Sequence, residues 1–315
     1  MVPDFLAQYG LAGSTFKNVN HGFNSSFKVD APDGCSYGLR INTNSKKSSA
    51  QVEAEIRLLE LIAENRVVDA PVPVRTNLDQ AYSKLSLDFL GKDVMAVLNH
   101  WIDGEDLGED MTDTELKQLG AAMAKLHKFA ANVPNEIVNA FPRIDQTLFN
   151  SPDNLRKGDV RFDPEMQDLI DRCYEISESA FQELSKQSEP LLIHADLHPA
   201  NVLRTPTGIA VIDFDDVGIG SKLQDLAITF FYLRDMQGKE NLVLEGYQSV
   251  AELPKMQKEL VEALLVSRQL LLLNDLLDST TAEEIEFTPE YIEISRIRLK
   301  HFLTTGRFEL IRRLN

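Results

Sequence analysis

The sequence has few cysteines, and its acidic residues outnumber its basic ones. Cys35 and Cys173 are the only cysteines among 315 residues, which excludes a disulfide framework and a zinc site built from cysteine pairs. Lysine and arginine total 32 against 49 aspartate and glutamate residues, for a formal net charge of −17. Because nucleic acids and anionic membranes bind basic surfaces, we expect neither as a partner.

Long apolar runs are also lacking. A run such as Leu270–Leu273 is far shorter than a membrane span. The opening residues, MVPDFLAQYG, contain no basic region followed by an apolar core, so we expect no signal peptide and a cytoplasmic location. With 43% hydrophobic and 26% charged residues, the composition is that of an ordinary globular protein with one large or two medium domains.

The first third of the chain predicts β-strands around one helix. The strands are predicted at Phe16–Val19, Phe23–Val29, Tyr37–Ile41, Leu85–Leu90 and Val94–Leu98, the last two as a hairpin. Alternation along the third strand places Gly38 and Arg40 on the face opposite its apolar residues. A capping box at Ser48 and Gln51 predicts a helix that runs to about Asn65.

From about residue 110 the apolar pattern becomes helical. Thr112 and Glu115 form a second capping box, and the helix that follows carries His127 on its apolar face. Asp163 precedes a helix that runs to about Ser185, and further helices are predicted near 221–236, 255–278 and 288–312. We therefore expect an α+β protein with a β-rich part, residues 1–100, and a mainly helical part, residues 101–315.

The chemistry of the chain is concentrated in residues 191–216. Two apolar runs, Leu191–Ile193 and Ile209–Ile212, are joined by a turn and each ends near a carboxylate. The first leads to Asp196, with Asn201 five residues later, and the second leads to Asp213. In kinases an Asp and an Asn at this spacing accept the hydroxyl proton and bind Mg²⁺, and a later Asp holds metal. Metal-dependent hydrolysis uses the same residue types, whereas the spacing excludes an EF-hand.

Several motifs together resemble the aminoglycoside phosphotransferase/choline kinase family, which shares the protein-kinase-like fold. The similar segments are His21–Ser26, Tyr37–Ile41, Leu119–His127, His194–Asn201, Ile212–Asp216 and Gln224–Ala227. The segment Trp101–Glu105 is similar to the branch with homoserine-kinase-like and stress-response-kinase-like members. The resemblance covers nearly the whole chain.

The resemblance implies a two-lobe fold, with a small β-rich nucleotide-binding lobe (1–100) and a larger, mainly helical catalytic and substrate-binding lobe (101–315). It implies ATP and Mg²⁺ as cofactors, Asp196 as catalytic base, and Asn201 and Asp213 as metal ligands. For Asp215 and Asp216, a role at the metal or substrate and a solvated role both remain open.

The same resemblance assigns residues to the nucleotide. Arg40 occupies the third-strand position where protein kinases place Lys, and would pair with the ATP phosphates. Glu55 is our choice for the helix carboxylate that holds Arg40, with Glu53 as the alternative. The remaining nucleotide-binding candidates are Gly22, Asn24, Ser25 and Ser26 over the phosphates and Trp101 at the adenine. His127, His194, His198 and Asp225 are expected to be scaffold residues.

Two departures from kinase patterns affect the functional hypothesis. Ala195 replaces a Gly of the family motif, which tests whether the backbone there needs a positive φ. Asp213 and Asp225 are only 12 residues apart, too close for a protein kinase's activation segment. We therefore expect phosphoryl transfer from ATP to a hydroxyl of a small molecule, such as an amino alcohol or amino sugar. The alternatives are a Ser/Thr protein kinase of the stress-response-kinase type and a catalytically silent, nucleotide-binding pseudokinase.

Overall fold

The computed structural model describes residues 1–21, 24–43, 45, 47–87 and 92–311, and the chain divides into two compact units. The first unit contains residues 1–105, 133–140 and 203–212, and the second contains 106–132, 141–202 and the chain from 213 onward. Residues 133–140 and 203–212 belong to the first unit although they lie far along the chain. Their composition does not differ from that of the flanking sequence, so the sequence did not predict this division.

The helices and strands follow one another along the chain without internal repetition. The helices are α1 (Val2–Gln8), α2 (Ser49–Glu64), α3 (Asp113–Ala130), α4 (Asn135–Val138), α5 (Pro164–Gln187), α6 (Lys222–Leu233), α7 (Lys239–Gln248), α8 (Lys258–Leu277) and α9 (Ala282–Thr305). The strands are β1 (Thr15–His21), β2 (Ser25–Asp30), β3 (Ser36–Ile41), β4 (Pro73–Val74), β5 (Ser83–Leu87), β6 (Lys92–His100), β7 (Glu105–Asp106), β8 (Leu191–Ile193), β9 (Val202–Thr205), β10 (Gly208–Val211) and β11 (Gly218–Gly220).

The first unit is built on an antiparallel sheet with the strand order β1-β2-β3-β6-β4, and β5 also pairs with β6. The predicted alternation in β3 is confirmed: Leu39 and Ile41 are buried in one core cluster. Arg40 pairs in register with Val97 of β6, and Val97 packs with Ile56 of α2 in a separate cluster. The strand therefore presents Arg40 to the face of the sheet that α2 covers.

Both predicted capping boxes are confirmed. In the first, the Ser48 Oγ accepts from the Gln51 amide at 3.3 Å, and the Gln51 side chain accepts from the Ser48 amide at 2.8 Å. Thr112 and Glu115 make the equivalent pair at the start of α3. Each box satisfies two amides that a helix N-terminus otherwise leaves unpaired.

Two glycines allow α3 and α7 of the second unit to approach closely. A Cβ placed on Gly120 would lie 1.9 Å from the carbonyl oxygen of Val243, and one on Gly246 would lie 1.9 Å from that of Lys117. No side chain fits at such a distance. Gly120, in the family-like segment Leu119–His127, is thus explained by helix packing.

The C-terminal helices differ from the prediction. The expected limits of 288 and 312 for the last helix are wrong, because α9 begins at Ala282, carries Pro289 in its interior and ends before Gly306, where φ is 68°. Thr288 before Pro289 resembles a helix start, but its hydroxyl instead donates to the Glu284 carbonyl at 2.7 Å. α1, α4 and α7 were not predicted.

No helix in the part of the chain that the structure describes is long and apolar enough to cross a membrane.

Candidate active site

The predicted catalytic loop follows β8 in the second unit. β8 pairs antiparallel with β11, opposing Ile193 to Gly218, and a Cβ on Gly218 would come within 2.8 Å of the Ile144 side chain. After Ile193 the chain turns through Ala195 in a left-handed conformation, with φ 65°. The sequence left open whether the position of Ala195 needs a positive φ, and the structure shows that it has one. Pro199–Asn201 then form a single 3₁₀ turn that leads into β9.

Asp225 of α6 holds this turn in place. Its carboxylate accepts hydrogen bonds from the Ala195 amide at 2.8 Å and from the His194 amide at 3.4 Å. One of its oxygens also lies 2.9 Å from His127 Nε2, and His127 Nδ1 lies 3.0 Å from the Tyr247 hydroxyl. Because a carboxylate can only accept, the Nε2 hydrogen points to Asp225 and Nδ1 accepts from Tyr247. The expected scaffold roles of His127 and Asp225 agree with these contacts.

The scaffold chain is buried. His127 is 2% exposed and Asp225 is 1% exposed. Burial, with a smaller contribution from the charge of Asp225, raises the pKa of Tyr247 to about 12, so that its hydroxyl remains a donor. His194 also serves the loop: its Nδ1 accepts from the Asp196 amide at 3.3 Å, and its ring packs 4.8 Å from that of Phe214.

Asp196 and Asn201 meet directly on the loop. Asn201 Nδ2 donates to the Asp196 carboxylate oxygen Oδ2 at 2.8 Å and to the Asp196 carbonyl at 2.9 Å. His198 Nε2 lies 3.4 Å from the same Oδ2. Because the amide nitrogen of Asn201 is engaged with Asp196, its amide oxygen points elsewhere and can ligate a cation. The side chain of Asp196 is 18% exposed.

The other carboxylate oxygen of Asp196 accepts from Arg268 Nη2 of α8. Burial raises the pKa of Asp196, but the hydrogen bond with His198 and the charge of Arg268 lower it, and the net result is a pKa below the usual range. The carboxylate is therefore ionised at neutral pH. Sequence reasoning missed Arg268, although a lone Arg within the apolar stretch 260–273 signals a buried charge that needs a partner.

The second predicted metal ligand, Asp213, follows β10. Its backbone is left-handed, with φ 61°, and it leads into a 3₁₀ turn, Phe214–Asp216, that carries Asp215 and Asp216. Desolvation of the Asp216 carboxyl and the negative charges of Asp196, Asp215 and Asp213 raise its pKa to about 7. The positive charge of Arg268 partly opposes this rise. Asp216 as a residue is nevertheless exposed to solvent.

This donor set fits a magnesium ion. The charges of Asp196, Asp213 and Asp215 contribute to the raised pKa of Asp216, and a nearby cation would favour the ionised carboxylates. Asn and Asp oxygens are the ligands that Mg²⁺ prefers. Among the described residues no group of three or more His, Cys, Asp or Glu side chains could hold a metal by itself. A kinase-type site needs only one or two protein oxygens for Mg²⁺, because the substrate phosphates and water supply the remaining ligands.

In the first unit, Arg40 pairs with Glu55. Arg40 Nη2 donates to Glu55 Oε1 at 2.6 Å, and the Glu55 side chain is 2% exposed. Glu53, the alternative partner, is exposed to solvent. Lys47 also reaches this carboxylate, with its Nζ 2.7 Å from Glu55 Oε2. Sequence reasoning missed Lys47, because nothing in the local pattern distinguishes it from the neighbouring lysine.

The other nucleotide-binding candidates lie on β2, on the turn before it and after β6. Asn24 is half-buried in the turn between β1 and β2, Ser25 is buried, and Ser26 is half-buried. Gly22 lies outside the described residues. Trp101 is half-buried; its Nε1 donates to Asp103 at 3.0 Å, and Lys28 Nζ lies 4.9 Å from the ring centroid.

Several solved structures have a fold similar to that of this chain. The microcompartment-associated aminopropanol kinase superposes with a TM-score of 0.76 at 19% identity, covering 98% of this chain and 99% of that one. An amicoumacin kinase, solved with AMP-PNP and Ca²⁺, gives 0.74 at 16% identity over 94% and 92%. A spectinomycin phosphotransferase gives 0.67 at 18% identity over 95% and 97%. At these identities the likeness is one of fold, and it agrees with the α+β, protein-kinase-like fold indicated by the sequence.

The family itself is established from the sequence. The model of the APH phosphotransferase enzyme family matches residues 15–257, more than half of the chain. That span contains β1 to β11, the loop of Asp196 and Asn201, and the scaffold residue Asp225. The chain belongs to the phosphotransferase enzyme family and is a phosphotransferase.

Proposed function

We propose that this protein transfers the γ-phosphate of ATP to a hydroxyl group of a small molecule such as an amino alcohol or an amino sugar. The contact between Asp196 and Asn201, at 2.8 Å on the loop after β8, carries the proposal. It brings an ionised carboxylate and an amide together at the spacing that kinases use. The structural relatives named for aminopropanol, amicoumacin and spectinomycin support a small-molecule acceptor.

In this proposal Asp196 is the catalytic base. The acceptor hydroxyl gives its proton to the Asp196 carboxylate while its oxygen forms a bond to the γ-phosphorus. The bond from that phosphorus to the bridging oxygen breaks, and ADP leaves with the electron pair. The protein contributes mainly position and electrostatics, because there is little covalent work for it in phosphoryl transfer.

Asn201 and Asp213 would hold Mg²⁺, which when bound neutralises charge on the phosphates. Arg40, fixed by Glu55, would pair with the phosphates, and its planar guanidinium can engage phosphate oxygens with two parallel hydrogen bonds. Lys47 adds a second cation at the same carboxylate. Gly22, Asn24, Ser25 and Ser26 would cover the phosphates, and Trp101 would lie against the adenine.

The short chain between Asp213 and Asp225 supports a small acceptor over a protein. All of these residues are described, and they form a 3₁₀ turn, β11 and the first turn of α6. Nothing in this segment resembles the long activation segment on which protein kinases bind their peptide substrates.

A turnover assay tests the proposal. ATP and Mg²⁺ are supplied with a panel of alcohols, amino alcohols and amino sugars, and ADP formation is followed. Asp196→Asn should lower kcat by 10²-fold or more, on the order expected for loss of a general base, while the affinity for ATP stays at the wild-type level. Asp168→Asn, on the exposed face of α5, is the matched control and should retain full activity. Absence of turnover with every acceptor, or full activity in Asp196→Asn, would contradict the proposal.

A further inference from the structure

Arg268 is a buried charge inside an apolar helix. It is 6% exposed, and its neighbours Leu264, Leu265 and Leu271 on α8 are 3%, 0% and 4% exposed. Removing a guanidinium from water is costly, and apolar residues of similar volume often replace buried ion pairs without loss of stability. Stability alone therefore gives no reason for an arginine at this position.

Both hydrogen bonds described for the Arg268 guanidinium are donated by Nη2. Nη2 donates to Asp196 and, at 2.8 Å, to the Tyr232 hydroxyl. The buried Nε has no partner among the described residues. The contacts that Arg268 does make lead to the proposed base.

We propose that Arg268 is a positioning residue for phosphoryl transfer, which acts by fixing the carboxylate of Asp196. The inference rests on the proposed function. Arg268 engages Oδ1, while Asn201 and His198 approach Oδ2, so the carboxylate is held from both sides. Each carboxylate oxygen accepts two hydrogen bonds, and Oδ1 can still receive the acceptor's proton.

Tyr232 of α6 closes a ring of contacts around Asp196. Its hydroxyl accepts from Arg268, and its ring stacks on His198 at a centroid distance of 4.2 Å and an interplanar angle of 24°. His198 in turn approaches Asp196. The cycle Asp196–Arg268–Tyr232–His198 ties the loop to α6 and α8. A carboxylate held in this way stays close to the geometry that the reaction needs. Small misplacements of a catalytic group reduce the rate strongly.

The test compares Arg268→Met, Arg268→Lys and Arg268→Ala with Arg234→Met. Arg234 is the matched control, because it is a buried arginine of the same unit paired with Glu240 and Glu262. Arg268→Met should lower kcat on the order of 100-fold, with the KM for ATP changed by less than about threefold. Arg268→Lys should retain an intermediate kcat, and added guanidinium should restore part of the activity of Arg268→Ala. Arg234→Met should keep the wild-type kcat.

A double-mutant cycle shows whether Arg268 acts through Asp196. In the Asp196→Asn background, Arg268→Met should lower the residual rate by less than about threefold, since residues that act as a unit are not additive. An unchanged kcat in Arg268→Met, a fully additive cycle, or no rescue by lysine or guanidinium would each overturn the inference.

A measurement without turnover separates this inference from the proposed function. Restricted rotation of the Arg268 guanidinium, seen by ¹⁵N NMR, should be lost in Asp196→Ala. Restricted rotation in a wild-type protein that turns over no acceptor refutes the proposed function and leaves the contact standing. Free rotation in an active wild-type protein refutes the inference alone.

Discussion

Ala195 combines an unfavourable backbone conformation with a well-packed side chain. A left-handed backbone costs a residue other than Gly about 1–2 kcal/mol. The Ala195 side chain is fully buried and packs with Ile144, Ile193 and Ile228. Burial of a methyl group contributes about 0.8 kcal/mol. Burial of the methyl group offsets part of the backbone strain, which explains how Ala is accommodated where the family motif has Gly.

We therefore expect Ala195→Gly to change the free energy of unfolding by less than about 1 kcal/mol, since strain and methyl burial are lost together. Ala195→Val should lower it by about 2 kcal/mol or more, because a branched side chain fits a left-handed backbone poorly. Urea denaturation measures both.

The control for Ala195 is Ala180, a buried alanine within α5. Ala180→Gly has no strain to relieve and should lose about 1–2 kcal/mol from helix propensity and methyl burial together. A gain of more than about 2 kcal/mol in Ala195→Gly would mean that the methyl group does not offset the strain.

At the scale of elements, the contact of α3 with α7 depends on two glycines. The Gly120 and Gly246 positions each bring a backbone carbonyl of the other helix to where a Cβ would be. Since α3 also carries His127 and α7 carries Tyr247, the same contact brings together the two residues that support Asp225 through hydrogen bonds. The packing of α3 on α7 thus helps to position the loop that follows β8.

Gly120→Ala and Gly246→Ala should each lower the free energy of unfolding by about 3 kcal/mol or more, the range for severe overpacking. Helix propensity alone predicts the opposite sign, a gain of about 1 kcal/mol. Thermal or urea unfolding decides between the two.

The reverse change, Ala121→Gly on the same helix, should cost only about 1 kcal/mol from propensity, because Ala121 is half-buried. A stabilised Gly120→Ala variant would show that the two helices do not meet as closely as described.

For the whole molecule, nucleotide binding is coupled to unfolding. A ligand that binds only the native state stabilises it by about 2.7 kcal/mol at 100 times its Kd. ATP with Mg²⁺ should therefore raise the melting temperature, and Asp213→Asn should reduce the part of that rise that depends on Mg²⁺. The exposed-face variant Asp168→Asn should match the wild type. A melting temperature that does not respond to ATP with Mg²⁺ would contradict the proposed use of ATP.

The parts predicted from the sequence are those set by short-range patterns. Capping boxes lie within one helical turn, the alternation of β3 lies within six residues, and the spacing of Asp196 and Asn201 lies within one loop. Arg268 meets Asp196 across 72 residues of chain, so no local pattern could pair them. The same holds for Glu55, where helical phase left two candidates and the packing of α2 on Arg40 decided. The last helix begins at Ala282 and continues through Pro289, although proline usually marks the first turn of a helix.

The position of Asp225 also affects how the loop can open. One buried carboxylate binds the His194 and Ala195 amides and is itself held through His127 to Tyr247, so α6, α3 and α7 all contribute to a single hydrogen-bonded chain. Breaking the hydrogen bonds from the His194 and Ala195 amides would leave the buried Asp225 carboxylate without these donors. Local fluctuations therefore open it only rarely, and its amides should exchange hydrogen with solvent about as slowly as the most protected helices of the second unit.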